Sequence, residues 1–243
     1  MRLVELSRSA HADLKIRKDR IEATAAEQHL IPIVVGEFRK AVTQYPIVFA
    51  KNAETGRFAP YVLTGLAPEE NLFWTGTELD VSYVPLNVRR QPFYVGAHDE
   101  PVGGVLCVDL DSPCLDPAGD ADLVAADGSD SAFLKGVLAV MGELVAGRAS
   151  TDLFVAKLLS LNLLAPLLLD IVLADGTPLK IQGLYGLDED ELRRLPAAQM
   201  SGLWSGGQLD LIYAMLLSGG QIFNLIRLKN RRVALGRAWH VQR

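Results

Sequence analysis

Along the first 110 residues, short apolar runs rich in Val, Ile, Tyr and Phe alternate with Pro, Gly and Asn breaks, the rhythm of short strands joined by turns. Strands are predicted at Leu30–Val35, Ile47–Ala50, Tyr61–Gly65, Phe93–Ala97 and Val105–Asp109, with a helical turn at Glu37–Val42 between the first two. In Tyr83-Val-Pro-Leu-Asn-Val-Arg-Arg-Gln-Pro92, the first proline stands where an opening helical turn tolerates it. The second stops the helix about two turns later. Arg89 and Arg90 therefore close a short, bounded helix.

The pattern changes after residue 130. Phe133, Leu134, Val137, Leu138, Met141, Leu144 and Val145 fall at helical spacing behind Ser129 or Asp130 as the capping residue, and Gly147 is the predicted stop. Thr151 starts a second helix carrying Phe154, Val155, Leu158, Leu159 and Leu163, ending before Pro166. Leu167–Leu173 and Leu179–Leu184 flank Asp175-Gly176, a pair that takes the positive φ angles of a tight hairpin. Asp188 and Glu191 have capping-box spacing at the head of a helix over Glu189–Leu195. A last helical pattern, from Leu209 to Leu228, is interrupted at Gly219-Gly220.

The expected fold class is α+β, with an N-terminal, mainly β lobe carrying short helices, then C-terminal helices plus a β-hairpin. A single domain spans 1–243. The Asp-rich stretch 110–130, read as an exposed acidic loop, is the candidate lobe boundary.

Charge changes this picture at one end. The net charge is −5, yet residues 227–243 carry Arg227, Lys229, Arg231, Arg232, Arg237 and Arg243 with no acidic residue. The body is thus strongly acidic and a poor match to nucleic acid, which is not an expected partner. The basic tail is expected to be solvated or folded back on that acidic body. The most apolar run, Leu158–Leu169, is shorter than the roughly 20 residues that a bilayer crossing needs, so no membrane span is expected. Charges scattered from Arg2 onward leave no apolar signal core, which points to the cytoplasm, with Cys107 and Cys114 as reduced, core-like thiols.

The usual chemical signatures (GxSxG, GxxxxGK[ST], HExxH, CxxC, GxGxxG) are absent. His11, His29, His98 and His240 are dispersed, so neither a metal site nor a cofactor is expected. Cys107 and Asp109 share a strand face and form a candidate nucleophile pair, though without a histidine base nearby in sequence; a buried thiol is the plainer reading. Arg89 and Arg90 are the candidate anion-binding residues, since a stiff helix end holds a guanidinium fork in place for a carboxylate or phosphate. Asn71, Tyr83 and Tyr45 could join such a pocket or simply cap and pack. The competing reading of the arginines is an internal salt bridge to Asp109, Glu70 or Asp80.

Six segments carry a family resemblance: Tyr45-Pro-Ile-Val-Phe49, Glu70-Asn-Leu-Phe73, Tyr83 through Phe93, Leu106-Cys-Val-Asp109, Gly183-Leu-Tyr-Gly-Leu-Asp-Glu189 and Ile212-Tyr-Ala-Met-Leu-Leu217. Together they resemble the bacterial SapC family over nearly the whole chain. A peptide-transporter permease bears the same name, but a chain without spanning segments does not resemble it. The resemblance brings no catalytic residues to carry over. It implies a neighbourhood of TonB-dependent receptors, cupin-like proteins and tryptophan-halogenase-like flavoproteins, hence nutrient acquisition. The expected function is a non-catalytic binding or accessory protein for a small anionic ligand or peptide, with a protein partner also open. The alternatives are an enzyme whose site is assembled from dispersed residues, and a surface-layer or structural protein, as the family's name suggests.

Overall fold

The computed structural model describes residues 1–96 and 105–241, with side chains to residue 235; Ala97, His98 and the side chain of His240 lie outside them. Among the described residues the strands are β1 (Leu3–Glu5), β2 (Lys15–Ile16), β3 (Leu30–Pro32), β4 (Ile47–Lys51), β5 (Phe58–Leu63), β6 (Phe93–Gly96), β7 (Val105–Asp109), β8 (Ala121–Asp122), β9 (Leu164–Val172) and β10 (Pro178–Leu187). The helices are α1 (Phe38–Ala41), α2 (Leu86–Arg89), α3 (Ala132–Ser160), α4 (Glu189–Arg194), α5 (Ala197–Ser205), α6 (Leu209–Ser218) and α7 (Gln221–Val241). The class is α+β, with sheets mainly in the N-terminal part and helices mainly in the C-terminal part.

The largest sheet has the order β3-β5-β4-β10-β9, so the C-terminal hairpin is not a separate appendage but completes the N-terminal sheet. Leu184 and Tyr185 of β10 pair with Ala50 and Phe49 of β4. The Tyr185 ring meets Phe58 edge-on at 4.8 Å. The hairpin turns where the sequence predicts, with Gly176 at φ +86°. Ser218 at the end of α6 donates to Met215 O and accepts from Ile47 N, at 2.6 and 2.9 Å, which seats α6 against the same sheet.

The two helices expected on either side of Gly147 are one helix, α3, of 29 residues. Its cap is Ser131, whose hydroxyl accepts from Leu134 N at 3.1 Å, and not Ser129 or Asp130. Gly147 does not stop it, because its missing side chain serves packing. A Cβ there would lie 2.6 Å from Val34 Cγ2. One turn on, Thr151 donates to Gly147 O at 2.7 Å and accepts from Val35 N at 3.0 Å, joining the helix to the 34–35 segment.

α3 runs through two apolar cores. Its C-terminal half places Phe154, Val155 and Leu158 in the larger core with Phe38 and Phe49; Phe38 and Phe154 meet edge to face at 5.9 Å. Its N-terminal half places Val137 and Met141 in a smaller core with Ile16, Phe93, Val108 and Leu123. The smaller core lies beside the sheet β1-β7-β6 and the β2-β8 ladder. The acidic stretch 110–130 is therefore not a solvated spacer: it contributes buried Cys114, Ala121 and Leu123. Its aspartates meet the basic N-terminal segment, through Lys15–Asp122 at 3.2 Å, Lys18–Asp120 at 2.8 Å, Arg20–Asp116 at 3.1 Å and Arg8–Asp130 at 2.6 Å.

The basic tail as far as Val241 belongs to the last helix, and part of it does fold back on the acidic body. Lys229 Nζ lies 2.6 Å from Glu70 Oε1, both side chains largely buried. The stretch Leu209–Leu235 is long and apolar enough to cross a membrane by length and composition, and 33% of its apolar 18-residue window is buried. This stretch gains its length by joining α6 and α7 across the two glycines.

Candidate anion-binding cleft

Pro85 leads into α2, and the first helical amide, Leu86 N, donates to Glu37 Oε1 at 2.8 Å. Buried Leu86 and Val88 fix the short helix against the body. Successive helical residues differ in direction by about 100°, and Arg89 and Arg90 accordingly part company. Arg90 turns inward. Its Nε donates to Asn87 Oδ1 at 2.8 Å, its Nη1 to Phe93 O at 2.6 Å, and its guanidinium lies 4.1 Å from the Tyr94 ring centroid. Burial pulls its pKa below the ordinary value. Arg90 is thus consumed in holding the α2–β6 junction.

Arg89 is exposed and faces a cleft of about 610 Å³. One wall is the apolar start of α3, with Phe133, Val137 and Val140; the other holds Ile21, Tyr83 and Val84. Most polar side chains around the opening are already engaged. Lys18 pairs with Asp120, Glu22 accepts from Leu79 N at 2.8 Å, and Ser82 donates to Gln44 Oε1 at 2.8 Å. The Arg89 guanidinium has no hydrogen bond and no carboxylate within ion-pair distance among the described residues, while its backbone N–H donates to Pro85 O at 3.1 Å. The internal salt bridge to Asp109, Glu70 or Asp80 is not formed by either arginine there.

Behind the cleft lies Glu37, 2% exposed and the one buried charged side chain among the described residues. Its carboxylate accepts from Val34 N at 2.8 Å, Leu86 N at 2.8 Å and Tyr83 Oη at 2.9 Å. Burial raises its pKa above the ordinary 4.5, while the three donors and the charge of Arg89 pull the other way. Burial next to that carboxylate also raises the Tyr83 phenol. Tyr83 is therefore a neutral, donating wall of the cleft.

The other candidates lie apart from this cleft. Tyr45 is buried, donates to Tyr83 O at 2.7 Å and packs edge-on against Phe73. Asn71 donates to Ala25 O at 2.9 Å and accepts from Phe73 N at 3.0 Å, a buried brace for the 71–73 turn. Asp109 accepts from Arg2 N at 2.7 Å and Asp111 N at 3.1 Å, fastening the chain start beside β7. Cys107 is half-buried on β7 beside Tyr94 of β6, and it does not line the Arg89 cleft. Of the seven residues singled out in the sequence, the structure brings only Arg89 and Tyr83 to the cleft. Reading the sequence missed Glu37, a single acid in a turn with no periodic signal. It placed Phe133 and Val137 on one helical face without marking them as a wall, and it did not single out Val140.

Among the described residues no three His, Cys, Asp or Glu side chains form a group that could hold a metal ion. No curated protein and no solved structure matches the chain. A family model described as SapC matches residues 6–225, a span that takes in both cores and the cleft. The chain belongs to the SapC family.

Proposed function

We propose that this protein is a non-catalytic binding protein, and that it takes a small anion with an apolar body into the cleft between residues 18–22, 82–84 and the start of α3. The observation that carries the reading is Arg89, an unpaired guanidinium aimed into a cleft walled by Phe133, Val137 and Val140. A guanidinium fork recognises a carboxylate or phosphate through paired hydrogen bonds, and an apolar wall beside it suits an aromatic or aliphatic body. Tyr83 adds a neutral wall whose position is set by Glu37. The cytoplasmic location and a role beside nutrient uptake belong to the same reading, and the two free cysteines fit a reducing compartment.

An enzymatic reading draws less support, because Cys107 and Asp109 lie outside the cleft and both oxygens of Glu37 are committed to donors. The surface-layer reading rests on the family's name alone. The test is calorimetric titration with phenylacetate, indole-3-acetate and phenyl phosphate. Binding of at least one is expected, weakened about tenfold or more in Arg89→Ala, in keeping with the loss of one charge-assisted contact, and unchanged in a Cys107→Ala control. Equal affinity in a natively folded Arg89→Ala protein would sink the proposal.

A further inference from the structure

A second group of arginines lies on α7, away from Arg89. Phe223, Arg227, Arg231 and Leu235 recur every four residues and are all exposed, so they wind slowly along one face of the helix. Arg227, Arg231 and Leu235 line a second cleft, about 210 Å³, together with Trp74 and Arg232. Arg232 is occupied, donating to Asn71 O and Trp74 O at 2.7 and 2.6 Å. The Arg227 side chain reaches only Asn224 Oδ1, at 2.7 Å, and the Arg231 side chain has no hydrogen bond or ion pair among the described residues. Asp80 is the one acidic side chain lining this cleft. Three guanidiniums within two turns, against one carboxylate outside ion-pair distance, leave an uncompensated positive site.

Its flanks are apolar. Phe223 is 75% exposed, Leu235 64% and Leu217, across the glycine break, 73%. We propose that the exposed stripe of α7 docks the protein on an anionic phospholipid surface, with a headgroup phosphate held between Arg227 and Arg231 and with Phe223 and Leu235 entering the acyl boundary. A phosphate site alone does not need exposed Phe and Leu on either side, whereas an interfacial helix needs both features on one face. A second copy is a poor occupant, because a twofold contact through this stripe sets arginine against arginine. The helix lies on the surface and does not cross it. Crossing would withdraw Ile212, Met215 and Leu225 from the larger core and break the Lys229–Glu70 pair.

The test is sedimentation of the full chain with vesicles of phosphatidylcholine alone and of phosphatidylcholine mixed with phosphatidylserine. The protein is expected to pellet with the mixed vesicles only, and less so at high salt. Arg227→Ala/Arg231→Ala should weaken that binding about thirtyfold, the effect of two basic residues at an anionic surface. Phe223→Ala should weaken it several-fold, both variants keeping the native circular dichroism spectrum. Equal pelleting with both vesicle types, pelleting with neither, or unchanged binding in the double variant would overturn the proposal. So would thermal protection by inorganic phosphate without any vesicle binding, which marks a free-phosphate site. A dimer by analytical ultracentrifugation that Phe223→Ala abolishes would make the face a contact between copies and overturn it as well.

Discussion

The two cores are held together by different physics. In the larger one, Phe38, Phe49, Phe154 and Leu158 are almost wholly removed from water, and its polar side chains Thr151 and Ser218 bond to backbone. In the smaller one, a few apolar residues around Phe93 and Leu123 are surrounded by exposed ion pairs between the chain start and the acidic stretch. Apolar packing is insensitive to salt and mild acid, while exposed pairs are screened by salt and lost on protonation. The contrast teaches that one chain can carry a part whose stability depends little on salt or mild acid and a part that follows both closely.

The sharpest way to break the comparison is Phe154→Ala. It deletes a ring from the larger core and should cost about 3–5 kcal/mol by urea denaturation. A loss as small as a surface substitution gives would mean that the larger core is not the principal store of stability. Next is Gly147→Ala, whose added methyl collides with Val34 and should cost about 1–3 kcal/mol. Val34→Ala in the same chain should return part of that loss, and a double-mutant cycle measures the coupling.

Glu37→Gln probes the charge buried in the larger core. The amide cannot accept from Val34 N while also satisfying Leu86 N and Tyr83 Oη as the carboxylate does, and a loss of about 1–3 kcal/mol at neutral pH is expected. The pH dependence has a definite sign. Because the folded pKa of Glu37 is raised, its contribution is fully present below 4.5 and is lost as pH rises through the folded value. In the variant, that part of the pH profile should flatten.

The smallest effect concerns the ion pairs, and its sign is opposite. Asp120 and Asp130 are held below the ordinary 3.8 by Lys18 and Arg8 respectively. Their stabilisation is present above that value and fades as pH falls through the lower folded values. Hydrogen exchange should therefore quicken first in residues 1–21 and 110–130, on acidification below about pH 4 or in high salt, while the amides of β4 and β5 stay protected. Uniform quickening across both cores would erase the distinction.

Much of this was legible in the sequence where local chemistry decides. The Asp175-Gly176 hairpin, the Asp188 cap and the break at Gly219-Gly220 stand where their residues place them. Legibility failed where a distant partner decides. Gly147 looked like a stop because its contact with Val34 is invisible along the chain. The aspartates of 110–130 looked solvated because their partners, Arg8, Lys15, Lys18 and Arg20, lie about a hundred residues earlier, although the opposite charge of the two segments was there to be matched. At the site, the sequence singled out the arginine pair but not which of the two would be free. That depends on Arg90 finding Phe93 O and Tyr94 within reach.

The unbroken run of α3 also sets a rule for insertions and deletions. The face carrying Val137 and Met141 and the face carrying Phe154 and Leu158 belong to different cores, yet one helix fixes the angle and distance between them. One residue added between positions 142 and 150 would turn one face about 100° against the other and push it about 1.5 Å along the axis. Seven residues would nearly restore the angle but part the two faces by about 10 Å. Length in this stretch is therefore far less free to drift than in a turn such as Asn52–Gly56, where extra residues only lengthen a surface loop.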